Sequence, residues 1–282
     1  MNQILIDIFH SLLLSLIILT ELFGILIICG LILGYIRNKS IKNLLSSVGF
    51  TAIILTAPGV IIHELSHYIF AKIFLYNVNE VKLIRPFKGS KDGILGYVNF
   101  SYNKNNIIQK AGLFLTGFAP IICGTLTLFI SMKFLVNDTY NSLITDIKNI
   151  ISSNSNILSI DFLNLQIQVY KKLFISLFTF QNIHNTLFYI FIYIAICISA
   201  HIALSKADLE SSITGIITIF LLIFIIVIAK NIINIDLFTY INKLKIYNIF
   251  FSTLLFIEIF FSILFFIITY IFRLINSLIF RK

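Results

Sequence analysis

Charge is scarce in this chain: Asp, Glu, Lys and Arg make up 12% of 282 residues, against 59% hydrophobic residues. A soluble domain of ordinary size carries about twice that charged fraction, and no segment here supplies one. Several apolar runs exceed the ~20 residues that cross a bilayer, and mean hydropathy is +0.99. The composition is that of a polytopic membrane protein. Cysteine is also sparse. Cys29, Cys123 and Cys197 are odd in number and lie inside apolar runs, which excludes a disulfide framework and leaves them as small packed hydrophobes. A basic leader is missing as well. The start Met1-Asn2-Gln3-Ile4-Leu5-Ile6-Asp7 lacks the n-region of a cleaved signal peptide, and the apolar run behind it is too long for an h-region. The first segment is expected to stay as a membrane anchor.

The net charge of +9 does not point to nucleic acid. Its basic residues lie between apolar runs rather than in one exposed domain, so they read as membrane topology in a lipid bilayer.

What stands out is His63-Glu64-Leu65-Ser66-His67, embedded in apolar sequence. Two histidines four residues apart share a helix face, about 6 Å apart along the axis, which suits two imidazole nitrogens converging on one Zn2+ ion. Glu64 is turned about 100° from His63, beside such an ion, where its carboxylate can take a proton from a water that the metal activates. With five His among 282 residues, a chance H-E-x-x-H has a probability of roughly 0.002. Three ionisable groups within five residues of a lipid-embedded helix cost on the order of 3 kcal/mol each, so they need a compensating partner. A metal is the simplest one; hydrogen bonds to a neighbouring helix are the alternative.

Along the chain, a first span is expected at about 9–36, with Glu21 inside it as either a functional acid or a hydrogen-bonding group. Arg37, Lys39 and Lys42 then read as a short polar connection. A second span at about 47–75 carries the motif, with Pro58 and Gly59 one turn earlier, where they can kink it. Residues 76–106 break the apolar pattern. β-branched residues over 78–84, turn residues over 86–93 including Lys91-Asp92-Gly93, and the alternation of Gly96, Val98 and Phe100 predict a β-hairpin. Its basic residues Lys82, Arg85, Lys88, Lys91 and Lys104 put it on the cytoplasmic side; a solvated loop and a partly inserted hairpin both fit. A third span follows at about 111–135, then a small extracytoplasmic loop over 136–172 with an amphipathic helix at 158–173. Spans at about 186–204, 213–229 and 246–272 complete an all-α polytopic fold of about six transmembrane helices.

Four pieces of this chain resemble the site-2 protease family of intramembrane zinc metalloproteases. They are the motif at His63 to His67, the hairpin-like loop after it, Ala111-Gly112-Leu113-Phe114-Leu115-Thr116-Gly117-Phe118-Ala119-Pro120 opening the next span, and Ala203-Leu204-Ser205-Lys206-Ala207-Asp208-Leu209 after a later one. The last is similar to the family's segment ending in Leu-Asp-Gly, with Leu209 in place of glycine. The resemblance covers about 48–215. It implies zinc ligands at His63, His67 and Asp208, Glu64 as the general base, and as substrate a transmembrane protein or a membrane-retained peptide, in the cell membrane of a prokaryote. It also implies an organisation into an N-terminal anchor and connection (1–46), a metalloprotease membrane core (47–215) and C-terminal transmembrane helices (216–282).

Alternatives stay open at three places. Ser205-x-x-Asp208 is equally a capping box for the next helix, with Glu258 in the last span as a substitute ligand. His201, two turns before Asp208, can approach the metal or an oxyanion, or be a plain hydrogen-bonded histidine. As a whole, the chain can instead be an inactive membrane interaction or immunity protein of the same fold, or a membrane metal transporter, although a transporter usually spreads its ligands over several helices.

Overall fold

A computed structural model describes residues 2–50, 54–86, 89, 93–152, 160–233 and 237–279. The chain is a helical bundle with one small sheet. In order come α1 (Asn2–Ser47), α2 (Ala57–Ile73), β1 (Asn77–Lys82), β2 (Tyr97–Ser101), α3 (Ile107–Leu135), α4 (Asn137–Ser152), α5 (Ile160–Leu177), the single turn α6 (Phe180–Ile183), α7 (Thr186–His201), α8 (Lys206–Ile233) and α9 (Leu237–Ile279). Among the described residues four helices are long and apolar enough to cross a membrane, within α1, α3, α8 and α9. By length and composition this is a membrane protein. The motif helix α2, at 17 residues, and α7, at 16 residues, are shorter.

Helix extends further than the sequence predicts at several places. Helix α1 does not stop near residue 36 but continues through Arg37, Lys39 and Lys42 to Ser47, 46 residues in all. Nothing between Ile36 and Ser47 breaks it, and the Ser40 hydroxyl donates back to the Ile36 carbonyl. It ends at Gly49, whose φ of 77° an L-residue rarely adopts. The loop expected over 136–172 is a packed pair of helices, of which α5 matches the amphipathic helix expected at 158–173 and α4 is additional. Leu143, Ile147 and Ile150 of α4 and Phe162, Val169, Leu173 and Leu177 of α5 are buried at helical spacing, and Lys172 pairs with Asp146 at 2.6 Å. Residue 158, where an amphipathic helix was expected to begin, lies outside the described residues.

The directions of the helices set the site. Helix α2 and α7 run parallel, because Leu55, Gly59 and His63 meet Tyr193, Cys197 and His201 in step. Helix α3 runs against α2, with His67 at Thr116 and Tyr76 at Gln109. Helix α8 runs against α3, with Gly117 at Asp208 and Ser212 and Gly215 at Phe114. So α7 and α8 point the same way and are separated only by 202–205. The sequence reading made them two successive spans joined by a break at 205–212; helix resumes at Lys206.

The hairpin is where the sequence places it. Strands β1 and β2 are antiparallel, with Val81 opposite Val98 and an irregularity between Val78 and Glu80. Residues 94–96, expected in the second strand, lie outside the ladder, where Arg85 N–H donates to the Leu95 carbonyl at 2.7 Å and Arg85 Nη1 donates to the Ile94 carbonyl at 3.2 Å. Of the predicted turn, residues 87, 88 and 90–92, including Lys88, Lys91 and Asp92, lie outside the described residues. The base of the hairpin is fixed by Tyr76, which stacks on Phe100 at 5.0 Å and donates its hydroxyl to the Gln109 carbonyl at 2.7 Å. Helix α2 turns into this base through Leu75, at φ 56°, with Tyr76 N–H on the Ala71 carbonyl and Leu75 N–H on that of Lys72.

A methyl group on Gly117 would strike the Ser212 hydroxyl and stand 2.7 Å from the Asp208 carbonyl. Gly117→Ala is therefore expected to push α8 off α3 and cost about 1–3 kcal/mol. Gly34→Ala, with nothing within 4 Å, should hold or raise stability. Thermal unfolding of the two variants in detergent checks the contrast.

Candidate metal centre

Helix α2 opens with Pro58 in its first turn, where the missing N–H has no intrahelical partner to lose. Residues 54 and 55 are also helical, so Pro58 follows a one-residue interruption at Thr56, in keeping with the kink the sequence suggests. One and two turns on, His63 and His67 point to the same side, their Nε2 atoms 3.3 Å apart. Asp208, in the first turn of α8, brings Oδ1 to 3.4 Å from His67 Nε2. Among the described residues these three offer ligand atoms that all lie within 4.8 Å of one another.

Both rings are held by their other nitrogen. His63 Nδ1 lies 2.9 Å from the His201 carbonyl, and His67 Nδ1 lies 2.9 Å from the Thr116 carbonyl. A carbonyl accepts only, so each Nδ1 carries the proton and each Nε2 presents a lone pair to the centre. These carbonyls are available for a reason. His201 ends α7, and the last carbonyls of a helix lack intrahelical donors. Thr116 lies inside α3, but the residue whose N–H should reach it is Pro120.

Does the donor set fit a metal? Two lone pairs and a carboxylate oxygen converge, and a single proton can relieve only one of these contacts at a time. Tetrahedral bonds of about 2.0–2.1 Å put neighbouring ligands about 3.3 Å apart. Two of the three separations have that length. Two histidines and one carboxylate leave a fourth position for water, the pattern of a catalytic rather than a structural site.

Asp208 resolves its two readings by using both oxygens. Oδ2 accepts from Ser205 N–H at 2.8 Å while Asp208 N–H donates to the Ser205 hydroxyl at 3.1 Å, a reciprocal cap. Oδ1 is left for the centre. Glu258 is not part of the group: it is fully buried on α9 and accepts from the Ser199 hydroxyl at 3.0 Å. Glu21 is exposed on α1. The His201 imidazole does not reach the group either. Its Nε2 pairs with the Thr56 hydroxyl at 2.8 Å, so the residue serves through its backbone.

Glu64 lies beside the histidines, 8% exposed, and its carboxylate has no hydrogen-bond partner among the described residues. Gly96 of the hairpin packs on it, leaving no room for a side chain: a Cβ there would be 2.7 Å from Glu64 Cγ. Glu64 and His63 border a cavity of about 250 Å3, whose other walls include Arg37, Val60, Leu95, Gly96 and His201. Sequence reasoning missed Arg37, taking it for a topological charge, and read Pro120 as a packing residue. No local signal marks either one, since both act on a different helix.

Comparison with protein-family models, with curated proteins and with solved structures returned no match.

The double use of Asp208 separates experimentally. Asp208→Asn keeps an oxygen for the cap but weakens the ligand, and zinc affinity should fall by about 100-fold or more. Ser205→Ala should cost about 1 kcal/mol of stability with zinc stoichiometry unchanged. Pro120→Ala gives Thr116 an intrahelical donor in competition with His67, and about a 10-fold loss of zinc affinity is expected. Metal analysis after titration with a chelator reads all three.

Proposed function

We propose that this chain is an intramembrane zinc metalloprotease of the site-2 protease type, cleaving transmembrane proteins or membrane-retained peptides in the cell membrane of a prokaryote. The observation that carries the reading is the convergence of His63, His67 and Asp208 on one point with an unpaired Glu64 beside it. His63, His67 and Asp208 would hold a zinc ion, which when bound would polarise a carbonyl and lower the pKa of a water toward 7. Glu64 is placed to take a proton from a water as the water oxygen bonds to the peptide carbon. It then delivers the proton to the leaving nitrogen as the C–N bond breaks.

Helices α7 and α8 point the same way, and the interruption between them lies at the site, which brings Asp208 beside the histidines. A substrate helix has every carbonyl bonded internally and must unwind before a peptide bond is accessible. The hairpin next to Glu64 offers a strand edge to the unwound segment, and its basic residues support a cytoplasmic position. A transporter is less well supported, because the donors are gathered at one point instead of along a path.

Glu64→Gln is the test. Zinc stoichiometry should persist, while cleavage of a model transmembrane peptide by detergent-purified protein falls by about 10²–10⁴. Undiminished cleavage would remove Glu64 as base, and metal-free wild-type protein would remove the hydrolase reading.

A further inference from the structure

The cavity beside the metal centre has one cation among the described residues that line it. Arg37 reaches it from α1 and lines it together with Glu64 and His63. Its Nη1 donates to the neighbouring Asn38 side chain at 3.2 Å, and its buried Nε has no hydrogen-bond partner. No carboxylate pairs with it among the described residues. An unpaired guanidinium against walls of Val60, Ile94, Leu95 and Ala203 is costly to maintain. Other basic residues of the same helix end, Lys39 and Lys42, line no part of this cavity.

We propose, on the basis of the hydrolase reading, that Arg37 is the anion receptor of this cavity and binds a negatively charged substrate oxygen next to Glu64. Two sources share that chemistry. When water attacks, its oxygen bonds to the peptide carbon, its proton passes to Glu64, and the carbonyl electron pair moves onto oxygen. The resulting oxyanion collapses as the C–N bond breaks and the amine takes the proton from Glu64. A planar fork of N–H donors stabilises that oxygen only while it is charged. Alternatively the guanidinium holds a carboxylate of the substrate, from an acidic side chain or the C-terminus. Glu64 is then kept free because Arg37 is committed elsewhere.

The test uses full-length zinc-loaded protein in detergent, with Arg37→Gln and Arg37→Lys matched to wild type by zinc stoichiometry. Two membrane-spanning peptides serve as substrates, one amidated and without acidic residues near the cleaved bond, the other with a glutamate there. Binding of an amidated phosphinic peptide gives a readout that needs no turnover. If the oxyanion is bound, Arg37→Gln lowers kcat about 100-fold on both peptides with KM unchanged, and Arg37→Lys restores part of the rate. If a carboxylate is bound, KM rises about 10-fold on the acidic peptide alone. Phosphinic peptide affinity should drop by about 10-fold in the first case and stay unchanged in the second. Unchanged kcat, KM and phosphinic affinity in Arg37→Gln overturn the inference and leave the hydrolase intact. Wild-type protein that binds the phosphinic peptide through Arg37 but cleaves nothing sinks the hydrolase and leaves the receptor.

Discussion

The site depends on two backbone carbonyls that no helix uses. In a bundle surrounded by lipid, nearly every carbonyl is bonded within its own helix, and a histidine N–H buried there has few places to go. This chain frees two acceptors by different means. Helix α7 simply ends at His201, whereas α3 continues but loses one donor at Pro120. Each freed oxygen takes one Nδ1 proton, and with that both Nε2 atoms are committed to face each other. A single proline and a single helix end thus decide the tautomers of both rings.

The third donor follows from the same interruption. Because α7 and α8 run in one direction with 202–205 between them, the end that releases the His201 carbonyl lies just before the start that presents Asp208. The capping box fixes the carboxylate through Oδ2 and so aims Oδ1. Close contact of α8 with α3 at Gly117 sets how near that oxygen comes to His67. A continuous helix through 186–233 would provide neither the carbonyl nor the aspartate, since both are terminal groups.

These dependences explain what could be read from the sequence. The histidine pair and Glu64 were legible because four residues of one helix fix their geometry without help from elsewhere. The hairpin was legible through alternation, and the Ser205-x-x-Asp208 box through its spacing, although only the structure shows that capping and centre share the carboxylate. Three things were not legible. Polar Arg37, Lys39 and Lys42 looked like a connection because charge was taken to end a span, yet a helix can outrun the bilayer. The Asn and Ser content of 137–152 hid the amphipathic face of α4, whereas that of α5 was read. The common direction of α7 and α8 has no local signature, because a polar break between apolar runs looks the same whether the chain turns back or goes on.

A final distinction separates structural from chemical groups in this bundle. Several polar side chains that support the site are paired, His201 with Thr56, Ser205 with Asp208 and Tyr76 with Gln109, while the Ser212 hydroxyl at the α3–α8 contact and Glu258 Oε2 are buried without a partner. Glu64 has no hydrogen-bond partner, and Arg37 keeps a buried Nε without one. Leaving polar groups unmatched against apolar walls lowers stability, and neither group contributes a compensating contact to the fold. They stand on one cavity with opposite charges and are not joined to each other. On the proposed reading, an acid free to accept a proton and a cationic wall free to accept an anion are what a neutral peptide bond needs at the moment it becomes charged, and at no other time.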